Sequence, residues 1–125
     1  MIRAACSIAF AVLAGAAAAQ SVKLTGPEIS ALLTGNTAVG EWDGVRYRQY
    51  FGADGATIFA HPNAGSTRGQ WRVDAQTDEY QSIWPGEVDW QSWYVMEYAG
   101  VWYWVSKTTP PTAFEVLEGA QPVEN

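Results

Sequence analysis

The chain has 125 residues, a formal net charge of −6, seven tryptophans, one histidine and one cysteine. That length fits one domain, and an acidic chain without a basic run excludes nucleic acid and anionic membrane surfaces as partners. One histidine and one cysteine cannot furnish a zinc site, no glycine-rich phosphate loop opens a helix, and no cofactor is implied.

Residues 1–19 read as a secretory signal peptide. Arg3 supplies the positive end, Ala4 to Leu13 an apolar run, Gly15 a break, and Ala17-Ala18-Ala19 the small residues of a cleavage site before Gln20. The apolar run is too short to remain as a membrane span. Cys6 opens that run rather than following it, so it is not placed for lipidation and leaves with the peptide. The expected product is residues 20–125, periplasmic or secreted, with no cysteine and no membrane anchor after cleavage. Its charge is −7, from six basic and thirteen acidic residues.

A short helix opens the domain. Thr25 and Glu28 form a capping box, with Leu24 and Ile29 at the hydrophobic-staple positions. Ile29, Leu32 and Leu33 make one apolar stripe, and Gly35 ends the helix. Strands follow at Asn36–Trp42, Val45–Phe51, Ala56–Ala60, Thr67–Val73, Glu79–Trp84, Trp90–Tyr98 and Val101–Lys107, with an eighth at Ala113–Leu117. Asp43-Gly44, Asp54-Gly55, Pro85-Gly86 and Ala99-Gly100 mark turns between them. Short strands in sequence with tight turns predict an all-β fold: a small antiparallel up-and-down meander of seven or eight strands forming a barrel or half-barrel.

His61 precedes Pro62 in a predicted loop, where a solvated histidine is the plain reading and catalysis would need a partner that the sequence does not identify. Most carboxylates sit in turns, where Asp bonds its own backbone. Glu97 shares the face of Trp93 and Val95, or simply marks a strand end. No catalytic constellation emerges, and the chain reads as non-enzymatic.

The aromatic residues are the main functional signal. Trp102 and Trp104 share one strand face, and Val101, Tyr103 and Val105 the other; Tyr94, Met96 and Tyr98 oppose Trp93 and Val95. Both strands are apolar on both faces, although a two-layer domain needs one buried face per strand. The second face is covered by the helix stripe, lines a barrel, or is a binding surface. Trp90, Trp93, Trp102 and Trp104 are therefore candidate ligand contacts. Arg46 and Arg48, on the face of Tyr50, either hold an acidic ligand or belong to a solvated outer face. Trp42 and Trp71, each two residues after a glycine, are expected in the core.

Val39-Gly40-Glu41-Trp42, directly after a helix, resembles the Gly-x-Trp signature of lipocalins. The resemblance implies a barrel for small apolar ligands, with the Trp closing one end; the long helix that follows a lipocalin barrel has no counterpart here. A second resemblance covers more of the chain. Leu24 to Gly35, Tyr47-Arg-Gln-Tyr-Phe51, Asp54-Gly55 and Gly69-Gln-Trp-Arg-Val-Asp74 are similar to a family of short exported bacterial proteins of unknown function. By that resemblance Gln81 and Gln91 stand where relatives carry cysteines. The expected function is an exported, non-catalytic binding domain of the cell envelope for a small apolar, aromatic or glycan ligand. The alternative is a protein-interaction module whose partner is an envelope or extracellular protein, such as an inhibitor of an extracellular enzyme.

Overall fold

A computed structural model describes residues 20–62 and 64–121. The predicted export segment, residues 1–19, lies outside them. The elements are β1 (Val22–Lys23), α1 (Gly26–Leu33), β2 (Thr37–Trp42), β3 (Val45–Phe51), β4 (Ala56–His61), β5 (Ala64–Asp74), β6 (Glu79–Ile83), β7 (Gln91–Tyr98), β8 (Val101–Val105) and β9 (Thr112–Leu117). Strands β2 to β9 pair antiparallel in chain order, and β9 closes on β2 in the register Ala38↔Val116 and Gly40↔Phe114. The result is a closed eight-stranded barrel. The extra strand β1 pairs with Met96 and Glu97 at the far end of β7, beyond the reach of β6. Closure matters because it leaves none of the eight strands with an unpaired edge.

Two tight hairpins set the registers. Trp42↔Val45 flanks Asp43-Gly44, and Tyr98↔Val101 flanks Ala99-Gly100. All four turn residues have positive φ, 52° and 78° in the first and 52° and 79° in the second. A two-residue hairpin of type I′ demands that combination because its twist matches that of the strands.

Helix α1 shuts one end of the barrel. Glu28 N–H donates to Thr25 Oγ1 at 3.3 Å and Thr25 N–H to Glu28 Oε1 at 2.8 Å, the reciprocal pair of a capping box. Gly26 N–H donates to Asp78 Oδ1 at 2.6 Å, tying the helix start to the β5–β6 turn. At the other end of the helix, Asn36 donates to Leu32 O and accepts from Gly119 N–H. The helix is thereby held at both termini, and Ile29 and Leu33 are fully buried. With Leu24 they meet Phe51, Trp71, Tyr80, Val95 and Phe114 in one core cluster. Burying these side chains contributes about 1.5–3 kcal/mol each, which is how a chain expected to lack disulfides can hold its shape.

Pairing fixes which residues face inward, because directly opposed residues share a face. From Ala38↔Gln49 and Gly40↔Tyr47, through Phe51↔Thr57, Trp71↔Ser82, Tyr80↔Trp93 and Val95↔Trp104, to Trp102↔Phe114, aromatic side chains make up more than half of the inner wall. The outer faces of β7 and β8 carry Tyr94, Met96, Tyr98, Val101, Tyr103 and Val105, half-buried or exposed. The two apolar faces of these strands are thus barrel lining and outer wall.

Several boundaries differ from those predicted. Strand β5 begins at Ala64 rather than Thr67, and β4 runs on to His61. Trp90 precedes β7 instead of belonging to it, and β8 ends at Val105 rather than Lys107. Strand β1 was not predicted; two residues carry no periodicity, and only their pairing with β7 defines them.

Candidate functional site

The end of the barrel away from α1 opens into a cavity of ≈ 430 Å³. Strands β2, β4, β6 and β8 run toward this mouth, and β3, β5, β7 and β9 run away from it. That alternation corrects one expectation. Gly40-x-Trp42 and Gly69-x-Trp71 are the same motif, and each glycine and tryptophan faces inward. Strand β5 carries Trp71 down into the core, where it is 7% exposed. Strand β2 carries Trp42 up to the rim, where it is 36% exposed. Trp42 is therefore not a core residue, and it lines the open end of the barrel rather than closing it.

The rim is built of rings. Trp42 meets Trp93 edge-on at 5.7 Å, and Phe59 meets Trp84 edge-on at 6.0 Å and His61 at 4.9 Å. All five line the cavity, with Thr67 and Gln91 beside them. The lip at Trp84 is knitted. Trp84 N–H donates to Glu87 Oε1 at 3.0 Å, Glu87 N–H to Trp84 O at 3.0 Å, and Gln91 Nε2 to Glu87 Oε2 at 2.6 Å. Gly69 makes room for that ring: a Cβ there would stand 2.5 Å from Trp84 Cε3 and 2.7 Å from Ile83 O.

The floor is Tyr47, Gln49, Tyr80, Ser82 and Trp104. Trp104 stacks on Phe114 at 4.1 Å, and its Nε1–H donates to the Tyr47 hydroxyl at 3.1 Å. Opposite Tyr47, Gly40 lacks the Cβ that would lie 2.9 Å from that hydroxyl, so the glycine of the Gly-x-Trp motif is needed for close approach. Gln49 Nε2 donates to Thr57 Oγ1 at 3.0 Å and to the Tyr80 hydroxyl at 2.9 Å. Burial pushes the Tyr80 phenol up to about 12, although hydrogen bonds from Ser82 and Gln49 pull it down. Burial likewise raises Tyr47 against the opposing bond from Trp104. Both phenols are therefore neutral donors or acceptors at any ordinary pH.

None of the twelve lining residues is Asp, Glu, Lys or Arg. The cavity offers aromatic walls, two phenols, two amides, two hydroxyls and one imidazole. Such a surface holds a ring by contact and orients it with few polar groups, as small-molecule sites do.

Of the residues singled out from sequence, Trp93 is in the rim and Trp104 in the floor. Trp102 also points inward but lies toward the helix end, half-buried against the core. Glu97 faces it there. Trp90 is outside the barrel, with the Arg72 guanidinium 3.9 Å over its ring. Arg72 Nε–H in turn donates to Gln81 Oε1, and Gln81 Nε2 to Ser92 Oγ, an outer-wall ladder across three strands. Gln81 thus faces outward beside Ser92, while Gln91 faces the cavity, so the two positions where the resemblance places cysteines are on opposite faces. Arg46 and Arg48 are on the outer wall, across from Glu41 and Val39, away from the cavity. His61, read as a loop residue, is the last residue of β4 and lines the cavity. Gln49, Tyr80 and Ser82 were missed because polar residues at alternate strand positions look solvated. Their parity with Phe51 and Trp84 was the available signal.

Compared with known proteins, the chain matches no family model, no curated protein and no solved structure.

Proposed function

We propose that the mature chain is a non-catalytic, exported binding protein of the cell envelope that takes a small, largely apolar ring compound into the open end of its barrel. The carrying observation is the ≈ 430 Å³ cavity walled by Trp42, Phe59, Trp84 and Trp93 and floored by Tyr47 and Trp104. Its volume lies in the range of small-molecule sites, about 300–1,000 Å³. Keeping that aromatic area wet costs roughly 25 cal/mol per Å², a cost that ligand binding offsets. Export rests on the sequence of residues 1–19. A glycan fits less well, since its many hydroxyls would need more polar partners than the lining provides. The second reading, a protein-interaction module, is supported by the outer wall, where Tyr98 and Val101 are exposed.

The test is titration with the fluorescent probe N-phenyl-1-naphthylamine. Saturable one-to-one binding is expected, with quenching of tryptophan emission. Ser82→Phe, which grows into the cavity, should keep the fold and lose the probe. Equal binding by wild type and Ser82→Phe would move the site out of the barrel, and no binding to either would leave the cavity reading without support.

A further inference from the structure

The floor of the cavity carries a polar group whose orientation is dictated by its neighbours. Thr57 Oγ1 donates its only hydrogen to Tyr50 O at 2.8 Å. Toward Gln49, 3.0 Å away, that oxygen can therefore only accept. The amide nitrogen of Gln49 must face Thr57, and its second hydrogen goes to the Tyr80 hydroxyl at 2.9 Å. Both amide hydrogens are then committed, and the flip of the side chain is fixed.

The carbonyl oxygen is left over. Among the described residues no hydrogen bond reaches Gln49 Oε1, yet no sealed side-chain oxygen or nitrogen lacks a partner. Gln49 Oε1 is therefore open to the cavity that Gln49 lines. It is an oriented acceptor at the bottom of an aromatic well, held by two hydrogen bonds and unable to turn into a donor. The walls above it are rings, which favour a flat ligand. The lining holds no Asp, Glu, Lys or Arg, so an ionised ligand would lose its hydration with no carboxylate, ammonium or guanidinium to replace it.

We infer that the ligand is an uncharged, planar ring compound bearing an N–H or O–H donor, which it directs to Gln49 Oε1. This rests on the cavity being the binding site and adds the ligand's chemistry. A flat apolar molecule without the donor would cover the Gln49 oxygen and leave it unpaired, which lowers affinity about ten-fold.

Three probes of one shape separate the terms: 2-quinolinone, which has a ring N–H; coumarin, which has a ring oxygen at that place; and 2-naphthoate, which is charged. Calorimetric titration of the wild-type protein should give 2-quinolinone an affinity about ten-fold above coumarin, with 2-naphthoate weakest. In Gln49→Leu, 2-quinolinone and coumarin should bind alike. The wild-type comparison stands by itself if that variant folds poorly. Equal binding of 2-quinolinone and coumarin to wild type, or tighter binding of 2-naphthoate, overturns the inference while leaving the cavity as the site. Failure of all three probes to bind overturns both.

Discussion

Replacing Trp42 and Trp71 in turn by alanine asks whether strand direction, rather than local sequence, assigns each tryptophan its role. Trp71 is 7% exposed, packs edge-on against Phe51 at 5.3 Å, and donates its indole N–H to Gly52 O at 2.9 Å. Trp71→Ala leaves a void between the helix and the sheet and removes one of the two hydrogen bonds to Gly52 O, which keeps the one from Gly55 N–H at 3.1 Å. Large aromatic truncations in a core cost about 3–5 kcal/mol, and that is the loss expected here. Trp42 stands at the rim, and water fills its place, so no cavity term arises. Its loss removes partial burial and one edge contact with Trp93, about 1–2 kcal/mol together. Urea unfolding followed by circular dichroism should separate the two midpoints while the slopes stay alike. The melting temperatures should differ by about 10 °C or more. Trp42→Ala should weaken N-phenyl-1-naphthylamine binding despite its milder effect on stability. Equal destabilisation by the two variants would refute the assignment of Trp42 to the mouth.

Tyr80 gives an alkaline signature. Its folded phenol titrates near 12 against an ordinary value of 10.0, so the unfolded chain loses its proton first. Stability is complete below pH 10 and falls as pH rises from 10 to 12, by about 2–3 kcal/mol. Urea midpoints across that range should drop more steeply for wild type than for Tyr80→Phe, and parallel profiles would count against it. Gly69→Ala should destabilise by about 1–3 kcal/mol, since the Ile83 carbonyl 2.7 Å away cannot yield as a side chain tip can. It should also weaken probe binding by displacing Trp84; unchanged midpoint and affinity would show that the ring is not seated on this glycine. Ala99 holds a φ of 52°, a conformation that costs an L-residue about 1–2 kcal/mol and that Asn tolerates. Ala99→Asn should raise the urea midpoint, and a lowered one would contradict the turn geometry.

The helix was legible because its signals are local: Thr25, Glu28, Leu24 and Ile29 lie within six positions, and the capping bonds form among them. The hairpin at Asp43-Gly44 was legible for the same reason. Barrel closure was not, because it depends on β9 meeting β2 across most of the chain. Nor could the Gly-x-Trp motif say which end of the barrel each tryptophan reaches, since that depends on the direction of its strand. In the site, Trp93 and Trp104 could be found by their size and parity. Gln49 shares the parity of Tyr47 and Phe51, but its role as an oriented acceptor was not legible, because what fixes it is the hydroxyl of Thr57 eight residues away and that of Tyr80 thirty-one away.

The central claim is that the open end of the barrel receives a small molecule. The seven tryptophans make it directly measurable, since each indole N–H gives its own resonance in a 15N-correlated spectrum. On saturation with N-phenyl-1-naphthylamine, the signals of Trp42, Trp84, Trp93 and Trp104 should shift together along one binding curve. Those of Trp71 and Trp102, toward the helix end, and of Trp90, on the outer wall, should hold their positions. Shifts centred on Trp90, or a spectrum unmoved at saturating probe, would contradict the claim.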